Sequence, residues 1–268
     1  MKRQTALVTG AARGIGREVT GALAARGWQV VAGVRDVDAC SIDDPNVTVV
    51  HLDVTDPQSI RSGVDQAQSI AGGALDAVIS NAGHAMIAPF EDLDMQLVRE
   101  MFEVNTFGAV AVVQAALGAM RRARAGRIVF VSTVGVHLYT PYFSAYRASK
   151  AALNAFAGTM AVEVREFGIR VSTVEPGMVA TDFSMSTRRA PSLTDPDSPY
   201  AQMSTAFMGG LRKWRDWVSI PATDVSDQVL ALIDDPDPAA SVLVGEDAQY
   251  LATLDEAGMR AFLGFDER

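Results

Sequence analysis

The chain has 268 residues, of which 49% are hydrophobic and 21% charged, and its formal net charge is −9. This composition excludes an intrinsically disordered chain, and the acidic balance argues against nucleic acid as a partner, because phosphate binding needs a basic surface. The single cysteine, Cys40, excludes an internal disulfide and a cysteine-based zinc site. The longest apolar runs fall short of the roughly 18 residues of a membrane span, and residues 6–8 are too few for the core of a signal peptide. We therefore expect a soluble, cytoplasmic protein without a membrane span.

Short apolar runs alternate with helical patterns along the chain. Strands are predicted at 5–9, 29–34, 47–52, 77–80, 127–132, 170–174 and 241–244, and helices at 15–25, 58–71, 95–120, 145–167 and 224–233. Continuous Val/Ile/Leu strands separated by helices indicate a parallel sheet that is buried on both faces. The pattern predicts a doubly wound (Rossmann-type) α/β fold, with a mostly seven-stranded parallel sheet, helices on both faces and a single domain over 1–268.

One segment interrupts this alternation. Residues 183–220 form a long stretch rich in Met, Pro, Ser, Thr and Trp between a predicted strand and a predicted helix. A loop of that length in a compact domain is usually functional, so the segment is a candidate lid over a substrate. The alternative is that its large apolar residues only pack the insert onto the core.

A glycine-rich turn follows the first predicted strand and opens the first helix. Residues 9–16 have the sequence Thr-Gly-Ala-Ala-Arg-Gly-Ile-Gly. Glycines there permit a tight turn and a close approach of the backbone to a pyrophosphate, and the helix N-terminus offers free N–H groups and a partial positive charge. The turn predicts a dinucleotide-binding loop, because it has the required position between a strand and a helix.

Tyr146 and Lys150 lie four residues apart in a predicted helix. This separation places the two side chains on one helical face, one turn apart. A free tyrosine hydroxyl has a pKa of about 10, and a nearby ammonium lowers that pKa. The pair is a candidate general acid/base, although the spacing alone is common on solvated helices.

Two motifs in this order resemble the short-chain dehydrogenase/reductase family: Thr-Gly-x-x-x-Gly-x-Gly at 9–16, and Tyr-x-x-x-Lys at 146–150. Further matches cover nearly the whole chain. They are Asp-Val after strand three, Asn-Ala-Gly after strand four, an asparagine in the next helix and Pro-Gly after strand six. The resemblance implies cofactor contacts from Gly10, Arg13, Gly14, Ile15, Gly16, Arg35, Asp53, Val54, Asn81, Ala82, Gly83, Tyr146, Lys150, Pro176, Gly177, Val179 and Thr181.

The end of strand two bears on the choice of cofactor. An acidic residue there binds a ribose 2′-hydroxyl, whereas arginine accommodates a 2′-phosphate. Val34 occupies the position of the acidic residue in NAD-preferring relatives, Arg35 follows it, and Arg13 is the family's other basic site. We therefore expect NADP(H), with NAD(H) the less favoured alternative in which Asp36 accepts the ribose.

In the family, a serine about 13 residues before the tyrosine holds the substrate oxygen. The same count from Tyr146 reaches Thr133, with Ser132 beside it. Neighbouring residues of a strand point to opposite sides, so only one hydroxyl can face the substrate. The register favours Thr133, and a slipped register with Ser132 active is the alternative.

The resemblance implies a catalytic group of Tyr146, Lys150, Thr133 and Asn105. In the implied mechanism, Tyr146 protonates the alkoxide formed by hydride transfer, Lys150 lowers the Tyr146 pKa and binds the nicotinamide ribose, and Asn105 holds a water. The implied activity is an NADP(H)-dependent interconversion of a ketone and a secondary alcohol. A non-catalytic NADP(H)-binding redox sensor is the alternative, and a dehydratase or epimerase is a third.

Substrate contacts are expected at the carboxyl ends of strands four to six. The candidates there are His84, Met86, His137, Tyr139, Tyr142, Met178 and Phe183, and the insert adds Met185, Tyr200, Met203, Phe207, Met208, Trp214 and Trp217. Few of these are charged, so we expect a bulky hydrophobic carbonyl, steroid-like or polyketide-like, or the matching alcohol. His84 and His137 could equally be structural.

The histidines show no spacing typical of metal ligands, and no metal is expected. Apolar faces on helices 95–120 and 145–167 are expected to pair across a two-fold axis in a homodimer or homotetramer, as in the family.

Overall fold

The computed structural model describes residues 3–183 and 187–265, so the candidate substrate residue Met185 lies outside the described residues. A seven-stranded sheet with the order β11-β7-β6-β4-β1-β2-β3 forms its centre, and every pairing in it is parallel. Its strands are β1 (Thr5–Thr9), β2 (Gln29–Val34), β3 (Val47–His51), β4 (Ala77–Ser80), β6 (Gly126–Val131), β7 (Ile169–Pro176) and β11 (Ser241–Val244). The doubly wound prediction is confirmed, since the strand order runs outward from β1 in both directions.

Helices cover both faces of this sheet. They are α1 (Gly14–Ala25), α2 (Pro57–Ala71), α3 (Met95–Phe102), a π-helical turn (Glu103–Gly108), α4 (Ala109–Ala123), α5 (Ser144–Val164), α6 (Ala201–Trp217), α7 (Ala222–Asp234), α8 (Glu246–Leu251) and α9 (Glu256–Phe262). Short two-residue strands complete the set: β5 (Met86–Ile87), β8 (Val179–Ala180), β9 (Arg188–Arg189) and β10 (Ile220–Pro221).

Strand alternation divides the core into two layers. Leu7 contributes to the layer under α2, α4 and α5, whereas its neighbours Ala6 and Val8 contribute to the layer under α1 and α7. All three side chains are fully buried. Because successive side chains point to opposite faces, a strand buried on both sides must be continuously apolar, which is the pattern that the sequence shows.

The predicted helix 95–120 is divided in the structure. A π-helical turn, Glu103–Gly108, separates α3 from α4, and Asn105 lies within it, fully buried. The run Met95–Ala123 has the length and hydropathy of a membrane span, but Val112, Val113 and Met120 of α4 are buried in the core beneath the sheet. We therefore interpret it as a core helix.

The interrupted segment contains a helix that the sequence pattern did not predict. Helix α6 occupies Ala201–Trp217, and a third apolar cluster joins its Phe207 and Trp214 to Leu251 and Met259 of the C-terminal helices. Tyr142 contributes to the same cluster. The cluster packs α6 beside the segments that follow β6 and β7, where the candidate site lies.

Candidate active site

The glycine loop is held by backbone contacts that leave no room for side chains. Gly10 has a φ of +64°, and a Cβ on it would lie 2.9 Å from the Ala82 Cα. A Cβ on Gly16 would lie 2.4 Å from the Gly10 carbonyl oxygen. Asn81 fixes the loop from the next strand, since its Nδ2 donates to the carbonyl oxygens of Thr9 at 3.0 Å and Gly10 at 3.1 Å. The loop is therefore pre-formed by β1, β4 and the start of α1.

The first turn of α1 is suited to an anion. Its N-cap residue, Arg13, provides no side-chain cap within the described residues, and Gly14 and Ile15 line the cleft. The uncapped N–H groups and the helix dipole both favour a phosphate there. These residues fit the diphosphate of a dinucleotide, because only glycines could allow so close an approach.

The far end of this cleft combines arginines with an acidic turn. Val34, Arg35 and Asp53 line the cleft, as does Arg13. Arg13 and Arg35 form no ion pair with any residue that the structure describes. Partial burial opposes ionisation of Asp53, but hydrogen bonds from Thr55 and the charge of Arg35 outweigh it and lower the pKa of Asp53. This end can therefore hold a purine and a phosphorylated ribose.

Tyr146 and Thr133 meet in the middle of the cleft. The two side chains interact closely enough for Thr133 to affect the Tyr146 pKa, and the Thr133 oxygen accepts from the Gly135 N–H at 3.1 Å. Desolvation raises the pKa of Tyr146 to about 12, against the lowering effect of Thr133. The neighbouring Ser132 hydroxyl is buried and has no partner among the described residues. The tyrosine is therefore a protonated donor beside one threonine hydroxyl.

Lys150 lies behind this pair. It is 4% exposed, and its Nζ donates to the Val131 carbonyl oxygen at 2.8 Å. Burial lowers the pKa of Lys150 to about 8. The expected lowering of the Tyr146 pKa by Lys150 is not what the structure gives, because desolvation of the phenol dominates and the Lys150 ammonium is directed at a main-chain carbonyl.

Asn105 completes the buried side of the site. Its Oδ1 accepts from the His84 N–H at 3.0 Å, and its Nδ2 donates to the His84 carbonyl oxygen at 2.9 Å and the Ser149 Oγ at 3.0 Å. A Cβ on Gly83 would lie 3.1 Å from the Asn105 Oδ1 and 3.4 Å from the Lys150 Nζ. Both polar groups therefore lie beside Gly83.

The segment after β7 forms the opposite wall. Pro176, Gly177, Val179 and Thr181 all line the cleft, and a Cβ on Gly14 would lie 3.5 Å from the Thr181 side chain. Together with the loop and the catalytic group, they enclose one continuous cleft of about 1340 Å³. This volume suits a dinucleotide and a substrate together, since a site for one small ligand is typically about 300–1,000 Å³.

The seven substrate residues predicted at the carboxyl ends of the strands divide into two groups. His84, Met178 and Phe183 line the cleft. The other four lie elsewhere: Met86 packs against Met101 and Ala145, His137 binds Glu175, Tyr139 is exposed under Arg147, and Tyr142 is buried against Phe207. Burial also lowers the pKa of His84, with a contribution from Arg188.

Sequence reasoning missed the charged part of the substrate side. Arg147, Arg188, Arg189, Arg212 and Arg215 line the cleft, as do Glu100, Glu103 and Asp182. Part of this charged wall could have been predicted from the sequence, because Arg212 and Arg215 follow Met208 and Leu211 at helical spacing on one face of α6. In the described residues, no cluster of His, Cys, Asp or Glu could hold a metal ion.

Comparison with known proteins identifies this arrangement. A family model described as short chain dehydrogenase matches residues 4–192, which include the glycine loop, Tyr146 and Lys150. The chain belongs to the short-chain dehydrogenase family. It is 34% identical over 251 residues to Oxidoreductase BOA17 of Botryotinia fuckeliana (strain B05.10), covering 90% of this chain and 88% of that protein. It is 35% identical over 212 residues to Retinol dehydrogenase 8 of Bos taurus, covering 73% and 67%.

Solved structures of other short-chain dehydrogenases have the same fold. One from Streptomyces avermitilis is 27% identical and has a TM-score of 0.83, covering 94% of this chain and 92% of that one. One from Burkholderia cenocepacia J2315, in complex with NADP, is 26% identical and has a TM-score of 0.76, covering 98% of both chains. This short-chain dehydrogenase is thus an oxidoreductase with the Rossmann-type sheet that its sequence predicts.

Proposed function

We propose that the protein is an NADP(H)-dependent oxidoreductase that interconverts a ketone and a secondary alcohol, and that it acts chiefly as a reductase of a bulky hydrophobic carbonyl. One observation carries the proposal. The side chains of Tyr146 and Thr133 interact with each other in the same cleft as the glycine loop. Two adjacent hydroxyl donors can both reach one carbonyl oxygen, which is the geometry that carbonyl reduction needs.

The protonation state of Tyr146 is compatible with reduction. With a pKa of about 12, Tyr146 is protonated at neutral pH and can donate to an alkoxide. Thr133 holds the same oxygen and orients the carbonyl. Bound NADPH supplies the hydride. Lys150 and Asn105, which converge on Gly83, would bind the nicotinamide ribose and a water that links the site to solvent.

Preference for NADP(H) rests on the end of β2. Val34 offers no carboxylate to a ribose, whereas Arg13 and Arg35 can form a bidentate clamp on a 2′-phosphate. Asp36, the alternative ribose acceptor, already accepts the Ala39 N–H at 3.1 Å. The Burkholderia cenocepacia neighbour was solved with NADP, which supports the same choice.

A hydrophobic substrate is supported by the apolar part of the cleft wall. Ile87, Leu138, Phe143, Met178 and Met208 line it. Methionine and aromatic side chains provide adaptable apolar surface. The similar protein from Bos taurus is named for retinol, an apolar alcohol, which supports a substrate of that character.

The test is a direct assay. NADPH oxidation would be followed with a panel of hydrophobic ketones, using wild type and Tyr146→Phe. We expect turnover by wild type and a loss of about 10²–10⁴-fold in kcat for the variant, because the proton donor is gone. Tyr139→Phe, which changes an exposed ring outside the cleft, is the matched control. Equal turnover by Tyr146→Phe, or none by wild type on any carbonyl, would contradict the proposal.

Assembly and compartment complete the proposal. We propose that the protein is cytoplasmic. We also propose a homodimer or homotetramer, because Phe107, Phe156 and Val162 expose 50%, 47% and 79% of their surface on the predicted pairing helices. Exposed apolar side chains on two neighbouring helices favour association. Light scattering after gel filtration would report the mass, and a monomer at micromolar concentration would contradict this part.

A further inference from the structure

Asp247 is a fully buried carboxylate behind the cleft wall. It lies in the first turn of α8, with 0% of its surface exposed. Its Oδ2 accepts two hydrogen bonds at 2.7 Å, one from the Met178 N–H and one from the Trp214 indole Nε1–H. Its Oδ1 is buried and has no hydrogen-bond partner among the described residues, so the two bonds to Oδ2 are the polar contacts that hold the side chain.

The carboxylate is also fixed in position by its surroundings. A Cβ on Gly177 would lie 2.1 Å from its Oδ2 and 2.2 Å from its Oδ1. A Cβ on Gly245 would lie 2.5 Å from its Oδ1. The carboxylate therefore packs directly on the main chain at two glycines, where no side chain would fit beside it.

The two donors belong to different parts of the cleft wall. Gly177 and Met178 follow β7 on the side of the nicotinamide contacts, and Trp214 lies on α6, the helix of the candidate lid. Met208 and Leu211 of α6 face the same cleft. One oxygen atom thus connects the segment that would contact the cofactor to the helix that would contact the substrate.

Helix α6 has a second attachment, which is independent of Asp247. Its Phe207 is fully buried and packs edge-on against Tyr142, with ring centroids 5.0 Å apart. Trp214 also packs edge-on against Phe262 of α9, with ring centroids 6.1 Å apart. Loss of the Asp247 bond would therefore break the polar link between Met178 and the C-terminal half of α6 and leave the apolar packing of α6 in place. That half carries three exposed basic residues, Arg212, Lys213 and Arg215.

We propose that Asp247 is a positioning residue that couples the cofactor-contacting segment at Gly177-Met178 to the C-terminal half of α6. A bound cofactor would thereby fix the position of the α6 residues that line the substrate side of the cleft. The proposal rests on the proposed function, because it needs a cofactor at Gly177. When Met178 is held by a bound cofactor, Asp247 and Trp214 are held with it. When the bond to Trp214 is absent, cofactor binding no longer orders α6.

The test uses Trp214→Phe, which keeps an aromatic ring and removes the N–H donor. Trp217→Phe is the matched control, because Trp217 lies on the same helix, is 53% exposed and packs only at the surface against Tyr250 and Phe262. Trypsin cleavage at 212–215 would be followed with and without saturating NADPH. Cleavage at the exposed Arg61 of α2 provides an internal control within each digest.

We expect NADPH to slow cleavage at 212–215 in wild type and in Trp217→Phe, and to have little effect in Trp214→Phe. We also expect the KM for a ketone to rise about tenfold in Trp214→Phe, the size expected from one charge-assisted hydrogen bond, with kcat changed far less. Asp247→Asn keeps an oxygen acceptor and should retain the protection, whereas Asp247→Ala should lose it. If Trp214→Phe does not fold, the comparison of Asp247→Asn with Asp247→Ala tests the same bond.

Two outcomes would overturn the inference. One is equal protection and equal ketone KM in Trp214→Phe and Trp217→Phe, since a purely structural bond would change only the melting temperature. The other is an absence of NADPH protection at 212–215 in wild type. Failure of the proposed function is a different result, namely no turnover of any carbonyl, and the protection experiment still decides the role of Asp247 in that case.

Discussion

The imidazole Nε2 of His137 lies 2.6 Å from the Oε2 of Glu175, a carboxylate that is only 2% exposed. The other oxygen of Glu175 accepts from the Asn154 Nδ2 at 2.7 Å and from the Thr173 Oγ1 at 3.4 Å. Glu175 therefore joins the segment after β6, the helix that carries Tyr146 and the end of β7. His137 therefore binds the Glu175 carboxylate and does not line the cleft.

Removal of His137 should destabilise the protein. In His137→Ala the Oε2 of Glu175 loses its hydrogen-bond partner, and we expect the free energy of unfolding to fall by about 1–3 kcal/mol. Urea denaturation measures this change. His137→Gln can restore a donor at similar reach and should recover much of the loss. An Ala variant as stable as wild type would show that the pair contributes nothing.

Burial of Lys150 should make stability depend on pH. Its pKa is about 8 in the folded state and 10.5 ordinarily, so the unfolded state binds more protons between these values. Unfolding free energy should therefore rise with pH in that window, by about 1 kcal/mol between pH 7 and pH 9. Lys150→Met should lack this increment, whereas Lys213→Met, an exposed control, should keep it. A parallel pH dependence in all three proteins would contradict the lowered pKa.

Thr133, and not Ser132, should support turnover. Thr133→Ala removes the hydroxyl that meets Tyr146, and we expect a loss of about 10²–10³-fold in kcat. Ser132→Ala removes a buried hydroxyl without a described partner, so kcat and stability should change little. Thr133→Ser should retain most of the activity. Steady-state kinetics on one ketone compares the three variants, and the reverse ranking would assign the role to Ser132.

Arg35→Asp should reverse the cofactor preference. The substitution removes a guanidinium from the cleft and adds a carboxylate that repels a 2′-phosphate. We expect the NADPH/NADH ratio of kcat/KM to fall by about 100-fold or more, the scale of a lost charge-assisted pair. Arg17→Asp makes the same charge change on the exposed side of α1. If both variants shift the ratio equally, the effect is one of net charge and Arg35 is not a phosphate ligand.

Gly16 and Gly21 should respond oppositely to alanine, although both lie in α1. A Cβ on Gly16 would lie 2.5 Å from the Asn81 Nδ2. Gly16→Ala should therefore push the glycine loop away from the end of β4 and lower the unfolding free energy by about 1–3 kcal/mol. A Cβ on Gly21 meets nothing within 4 Å. Gly21→Ala should therefore raise stability by about 0.5–1 kcal/mol through helix propensity. Weaker NADPH binding by Gly16→Ala, but not by Gly21→Ala, would be the second measurement.

The alternation of apolar runs and helices was sufficient to predict the sheet. The ranges of β1, β2, β4 and β11 agree with the predictions at both ends. For the inner strands β1, β2 and β4 the reason is that a strand buried on both faces has to be apolar and has to stop where polar turn residues begin. The glycine loop and the spacing of Tyr146 and Lys150 were also visible, since turns and helix faces are local geometry.

Other features depended on contacts between distant segments. Sequence spacing suggested that Lys150 would lower the Tyr146 pKa, but the tertiary structure buries the phenol and directs the ammonium at Val131, so desolvation prevails. His137 was a candidate for the substrate until the fold brought it to Glu175, 38 residues away. Helix α6 and its bond to Asp247 join residues 33 apart, which no periodic pattern reports. The sequence by itself determined the sheet, the glycine loop and the helix that carries Tyr146 and Lys150, because local periodicity and spacing encode them. Only the tertiary structure decided which polar groups are buried together, because burial and pairing depend on the packing of whole elements.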